Sequence, residues 1–297
     1  MAGSPGRVAG GIRLGTSVPI AGTPWVVWAE MAERSLLQPA AALLTRMVPI
    51  TLLITVLVIA PAQWVASALA NATGSRLELA EASGTMWNGS ALLVLASSQE
   101  PGAPRATLPE RLAWSLSPWS LLVGQVDLTL THPSALAQPL SVRAPLMGGG
   151  AITLSATTLR VPASLLVGIG APWNTIRPGG ILLINWDRLQ LESRRVQGNI
   201  SAEWQYASSA LTPVSPMGHY RLQTNGVWPG TQLDLLTISG PLELKGSGTI
   251  PEGGRLRFTG RAQAMAGTDP GVKAQLTGLI SLLGRRDGEG ALLNFGS

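Results

Sequence analysis

Between Arg46 and Arg76 the chain carries no charged residue, and what can be built on either side depends on that run. Its apolar part, 47–69, reads MVPITLLITVLVIAPAQWVASAL. A bilayer core is crossed by roughly 20 mostly apolar helical residues, so 47–69 is read as one transmembrane anchor. Pro49 falls in the first turn, where a missing N–H does no harm. Pro61 lies inside the run and is expected to kink or end the helix. The densest part, 52–60, is too short to span alone, so the helix must include 63–69 or tilt in with Met47. Trp64 then falls near the far headgroups, where membrane-interface tryptophans concentrate. Two other readings compete. A buried core helix would need a helical partner, and no other segment looks like one. A cleaved leader would use Ala68-Leu69-Ala70 as its small-x-small site, but 46 residues precede the run, far more than a leader's basic region.

The flanks orient the anchor. Arg7, Arg13, Arg34 and Arg46 stand before it against Glu30 and Glu33, whereas Arg76, Glu78 and Glu81 follow. The positive-inside rule therefore puts the N-terminus in the cytoplasm and the remainder outside. Residues 1–46 are rich in Gly, Pro, Ala and Ser with weak periodicity, and are expected to be largely disordered. Met31 and Met47 are alternative starts, and a start at Met47 would remove the arginines from the orientation argument.

After the anchor, in 70–297, short apolar–polar alternations recur between Gly, Pro, Asn and Ser, the pattern of half-buried antiparallel strands between turns. Leu112, Trp114 and Leu116 share one face of a strand; Val126, Leu128 and Leu130 share one face of another. Asn88-Gly89 is a strong hairpin signal. Segments 161–167 and 271–283 are read as short helices, and 284–297 as frayed apart from Leu292 and Leu293. Pro213 and Pro216 exclude a central strand over 211–217. Strand spacing of about 8–12 residues suggests an all-β, mainly antiparallel domain, either a sandwich or a long curved sheet.

Composition narrows the chemistry. There is no cysteine, so no disulfide, thiol nucleophile or cysteine metal site. The net charge is +5, but the basic residues are scattered, the tightest pairs being Arg194-Arg195 and Arg285-Arg286. A nucleic-acid patch normally shows a denser basic run. The two histidines, His132 and His219, stand far apart. No G-x-S-x-G elbow, H-E-x-x-H or P-loop occurs, and no catalytic residue, cofactor or metal site is assigned. Asp187 falls at a turn, where Asp commonly bonds its own backbone. Ten tryptophans against two Phe and two Tyr are unusual. Core packing, with each indole N–H finding a partner, is weighed against an apolar partner surface.

Several short motifs then occur in a telling order: 61–64 PAQW, 84–90 GTMWNGS, 112–114 LAW, 118–119 PW, 171–174 APWN, 178–180 PGG, 207–209 ASS with 218–220 GHY, and 282–287 LLGRRD. Over about 48–287 the chain resembles protein N of the bacterial type II secretion system. The W-x-G at Trp87 and the A-P-W-N stretch carry most of the resemblance, and the long N-terminal extension departs from the family's short cytoplasmic end. The resemblance implies a bitopic inner-membrane protein with a periplasmic β domain, partnered by other secretion subunits in the inner membrane and periplasm, with no catalytic residues to carry over. Candidate motif and partner-surface positions are Trp87, Asn88, Gly89, Trp114, Trp119, Trp173, Asn174 and Gly180. The expected function is that of an accessory subunit supporting export of folded proteins across the outer membrane. The alternative is a lipid-handling β-groove protein on the same anchor, to be told apart by whether a continuous apolar groove or a filled core lies over the sheet.

Overall fold

The computed structural model describes residues 13–32, 47–49, 51, 55–98, 100, 102–147, 149–193, 195–225, 227–251 and 256–296. The chain divides into two compact units, Met1–Ala60 and Pro61–Ser297.

In the first unit, β1 (Arg13–Pro19) and β2 (Val26–Ala32) pair antiparallel along their whole length. Disorder is the sequence expectation here, but Gly22, at φ +85°, supplies the left-handed residue that closes the hairpin. The expectations for 1–12 and 33–46 lie outside the described residues. Residues 47–49, 51 and 55–58 are helical, and 50 and 52–54 lie outside the description. Thr51 and Thr55 donate their hydroxyls back to the carbonyls of Met47 and Thr51. Val56, Leu57, Val58 and Ile59 are exposed. Among the described residues no helix is long and apolar enough to cross a membrane.

The second unit begins with a break. Pro61 is extended, bridges to Thr85, and caps a new helix, α1 (Ala62–Thr73). A proline fixes its own φ and disfavours helix in the residue before it. The run 47–69 is therefore not one helix: from Ala62 onward it belongs to α1, which lays Ala62 and Val65 against Ala91 and Trp114. Gly74, left-handed at φ +59°, ends α1.

Two antiparallel sheets follow. The first contains β3 (Leu77–Gly84), β4 (Asn88–Ala96), β5 (Arg105–Thr107), β6 (Leu112–Leu116), β7 (Gln125–Thr131), β8 (Leu140–Pro145), β9 (Ile152–Leu154), β12 (Leu189–Glu192) and β13 (Arg195–Gln197). Its order is β13-β12-β9-β8-β7-β6-β4-β3, with β5 beside β4. The second contains β10 (Thr157–Pro162), β11 (Gly179–Trp186), β14 (Ile200–Ser208), β15 (Gly218–Asn225), β16 (Thr231–Ser239), β17 (Leu242–Ile250), β18 (Arg257–Ala264), β19 (Arg285–Asp287) and β20 (Gly290–Phe295). Its order is β10-β11-β14-β15-β16-β17-β18-β20-β19. Short helices α2 (Pro118–Leu122) and α3 (Trp173–Ile176), a 3-10 helix (Ala163–Ile169) and α4 (Pro270–Leu283) complete the unit.

Alternation along each strand sorts the side chains into faces. Leu79, Leu93, Trp114, Leu130 and Leu140 fall on one face of the first sheet through their paired registers, with Glu78, Thr129 and Ser141 on the other. In the second sheet Leu182, Trp204 and Tyr220 share a face opposite Leu183, Glu203 and Arg221. α1 covers part of the first apolar face. α4 covers part of the second, burying Leu276, Leu279 and Ile280 against Met217, Tyr220 and Leu242. The two apolar faces meet in a third cluster, where Leu93 joins Leu159, Val161 and Leu182 around Leu108 and Ala135. The arrangement is thus two sheets, each with its own helix, joined through a shared core.

Two expectations are corrected. Asn88-Gly89 is not the turn of its hairpin: Gly84 pairs with Gly89, so both residues already belong to β4. The turn is closed by Thr85, whose N–H donates to the Asn88 carbonyl at 2.9 Å and whose hydroxyl accepts from the Asn88 N–H at 3.1 Å. The C-terminal stretch is not frayed: β19 and β20 pair with each other, and β20 pairs with β18. Leu293 is buried while its neighbour Leu292 faces out, an alternation too short to stand out in a polar tail.

Candidate functional site

The Trp-x-Gly motif is a structural lock. Gly89 lacks a side chain because the ring of Trp114 occupies the space: a Cβ there would overlap the indole and come within 2.8 Å of the Thr85 carbonyl. Trp114, 5% exposed, packs on Ala62, Ala91 and Leu130. Its Nε1 donates to the Met86 carbonyl at 3.1 Å, and the Trp87 carbonyl accepts from Leu116 N–H at 2.7 Å. Trp87, Asn88, Gly89 and Trp114 therefore come together, holding the β3–β4 turn to β6.

Trp173, Asn174 and Gly180 form a separate group. Trp173 and Asn174 are half-buried in α3, where Asn174 N–H donates to the Gly170 carbonyl at 3.1 Å. Gly180, at φ +95°, lies where a Cβ would strike the carbonyls of Gln205 and Tyr206. Trp204 Nε1 donates to the neighbouring Gly179 carbonyl at 2.8 Å. Gly168 and Gly170, just before α3, press on Leu95 and Ser97 at the far end of β4 from Gly89. Leu95 lies about 20 Å from Gly89 along β4 at ~3.4 Å per residue, so the segment leading into α3 meets β4 far from the Trp114 lock, and the two motif groups do not form one site.

The histidines have structural roles. Buried His132 accepts from Ala135 N–H on Nδ1 at 2.9 Å, so its Nε2 carries the proton donated to the Pro109 carbonyl, also 2.9 Å away. His219 lies 3.2 Å from Glu203, which also receives Arg221 at 2.7 Å and Gln205 at 3.2 Å. Burial works against the Glu203 charge, but the hydrogen bonds from Arg221, Gln205 and His219 outweigh it and hold the carboxyl below its ordinary value. Glu243 is likewise held low by Lys245 and Gln263 against a smaller effect of burial. Burial pushes the Tyr220 phenol well above its ordinary range, and the phenol donates to the Leu242 carbonyl at 3.1 Å. One depression of about 500 Å³ is lined mainly by Thr158, Asn185, Asn199, Ser201 and Thr224, with Asp187 as its one carboxylate.

Trp119 behaves differently from Trp114. It is 75% exposed on α2, in the β6–β7 connection. Leu122 and Val123 follow it, and Leu146 and Met147 stand in the adjacent β8–β9 connection; all are more than half exposed. Leu146 N–H donates to the Gly124 carbonyl at 2.8 Å, fastening the two connections together. These four apolar residues were not singled out in the sequence. Their one signal is that 112–126 and 144–159 contain no charge. In a chain only 12% charged such runs arise readily.

Fold and surface together define a two-sheet antiparallel β protein whose tryptophans lock turns and whose exposed apolar side chains gather at one end of the first sheet. Residues 75–293, nearly the whole of both sheets, match the family model for type II secretion system protein N, and the chain belongs to that family. Comparison with curated proteins and with solved structures gives no match. Membership makes the chain an accessory component of type II secretion, with its partners among the other components of that system.

Proposed function

We propose that the chain is an inner-membrane accessory subunit of the type II secretion system, with the two-sheet unit in the periplasm supporting export of folded proteins by protein–protein contacts. The family match over 75–293 carries this reading. The uncharged run before Pro61 supplies the anchor. Pro61 divides the apolar run 47–69, and the proposed anchor is the part that precedes it. The reading assigns the chain no reaction and no cofactor; its work is to hold partners. The test is the secreted protein profile of a clean deletion beside its complemented parent. Loss of particular exoproteins from the medium, with their accumulation in the periplasm, is the expected result. An unchanged profile would sink an essential role in secretion.

One observation favours a second reading, lipid handling. On four adjacent strands, Ile184, Ala202, Leu222 and Leu233 are half-buried yet join none of the packed clusters among the described residues. Phospholipid retained by the purified chain after detergent exchange would support it, and lipid-free protein would remove it.

A further inference from the structure

The connections of the first sheet are sorted by end. At one end lie 85–87, 117–124, 146–147, 149–151 and 193, since the β3–β4, β6–β7, β8–β9 and β12–β13 turns all fall on the same side. The first three contain no charged residue. Trp119, Leu122, Val123 and Met147 are among the most exposed large apolar side chains in the second unit, with Met147 85% exposed. Basic charge reaches this end at the far hairpin, where Arg195 is exposed beside Glu192 and Arg194 precedes it in the sequence. The opposite end carries Arg76, Glu100, Arg105 and Glu110.

Chain entry falls at the apolar end. Pro61 bridges to Thr85 there, and half-exposed Trp64 stands one turn into α1. The residues covalently preceding Pro61 are the uncharged run itself. An end whose first three connections are uncharged, which bears an exposed Trp, whose nearby Asp127 is paired with Arg143 and whose far hairpin adds Glu192 and Arg195, and from which the uncharged run leads away in sequence, has the composition of a surface lying in the headgroup layer.

We propose that this end of the first sheet inserts into the outer leaflet of the inner membrane. Trp119, Leu122, Val123, Leu146 and Met147 would enter the headgroup–acyl boundary, with Arg195 at anionic headgroups. The inference rests on the anchor reading for its membrane, and the contact makes the sheet a second point of attachment that fixes how the unit stands over the bilayer.

The absence of cysteine gives a clean background for labelling. Met147→Cys and Leu122→Cys, each in the full chain, are labelled with an environment-sensitive fluorophore and reconstituted into phosphatidylethanolamine–phosphatidylglycerol vesicles. Ala137→Cys, in the connection at the opposite end, is the reference. Both tip labels are expected to shift to the blue and to be quenched by lipids brominated near the headgroup, while the Ala137 label stays water-like. Retention on vesicles after alkaline carbonate reads the anchor separately. Retention with water-like tip labels overturns the tip contact and leaves the anchor standing. Blue-shifted tip labels without carbonate retention uphold the contact and remove the anchor. Tip labels that are water-like in pure lipid but buried in native membrane vesicles would assign the end to a protein partner and overturn the lipid assignment.

Discussion

Trp114 and Trp119 stand five residues apart and are predicted to respond oppositely to truncation. Trp114 is buried and carries three loads: contact with Ala62 and Val65 of α1, contact with Ala91 and Leu130 of the sheet, and a hydrogen bond to Met86. Removing a buried Trp side chain costs about 3–5 kcal/mol through lost transfer energy and the cavity left behind. The freed Met86 carbonyl is half-buried, and its lost bond adds about 1 kcal/mol at most. Trp114→Ala should therefore destabilise by about 4 kcal/mol, a large share of the ~5–15 kcal/mol that holds a typical domain. At about 2–4 °C per kcal/mol for a unit of this size, the melting temperature should fall by roughly 10 °C. Trp119→Ala removes an exposed ring and should change stability by no more than about 0.5 kcal/mol. The assay is urea unfolding of the full chain in mild detergent, followed by circular dichroism, with the melting temperature as a cross-check. A Trp114→Ala loss below about 1 kcal/mol, or equal losses for the two variants, would refute the division into lock and surface.

Two further outcomes are expected. Because the Glu203 carboxyl is held below its ordinary value of about 4.5, its stabilisation is complete above that pH and is lost as pH falls through the lower folded-state value; thermal melts of wild type and Glu203→Gln should differ most above pH 4.5 and converge below it, and a gap that widens on acidification would reverse the assignment. Gly180→Ala and Gly102→Ala both force a left-handed residue, at φ +95° and +86°, but only the first strikes backbone carbonyls; Gly102→Ala should cost about 1 kcal/mol and Gly180→Ala clearly more than the ~1–3 kcal/mol of backbone strain alone, read from the same unfolding curves.

The fold class was legible because alternation is local. Leu112, Trp114 and Leu116 declare an inward face whatever lies opposite, and the proline pair at 213 and 216 excludes a central strand wherever the segment goes. The partition into two sheets was not legible, since β12 follows β11 in sequence but pairs with β9, and nothing in LQLE names its partner. The Asn-Gly misreading has the same origin. A glycine after Asn signals a turn by its backbone freedom, but here Gly89 is required by an indole from a strand 25 residues away. The order of the motifs along the chain pointed to the family, but not to the packing of Trp114 over Gly89. It gave no means of dividing Trp114 from Trp119, because exposure depends on what packs against each ring.

The return of β12 and β13 to the first sheet bears on the order in which the protein can be made. The first sheet is broken off at β9 while the chain lays down β10 and β11 of the second, and is complete only when residue 197 is available. At about 5–20 residues per second, the growing chain holds an unpaired β9 edge for several seconds, beside an apolar face not yet closed. No cut between the sheets releases a whole one: a fragment ending before β12 lacks two strands of the first sheet, and one beginning after β13 lacks β10 and β11 of the second. The two sheets are therefore a single assembly unit, and its earlier sheet must wait, with an edge open to capture, until the chain has begun the later one.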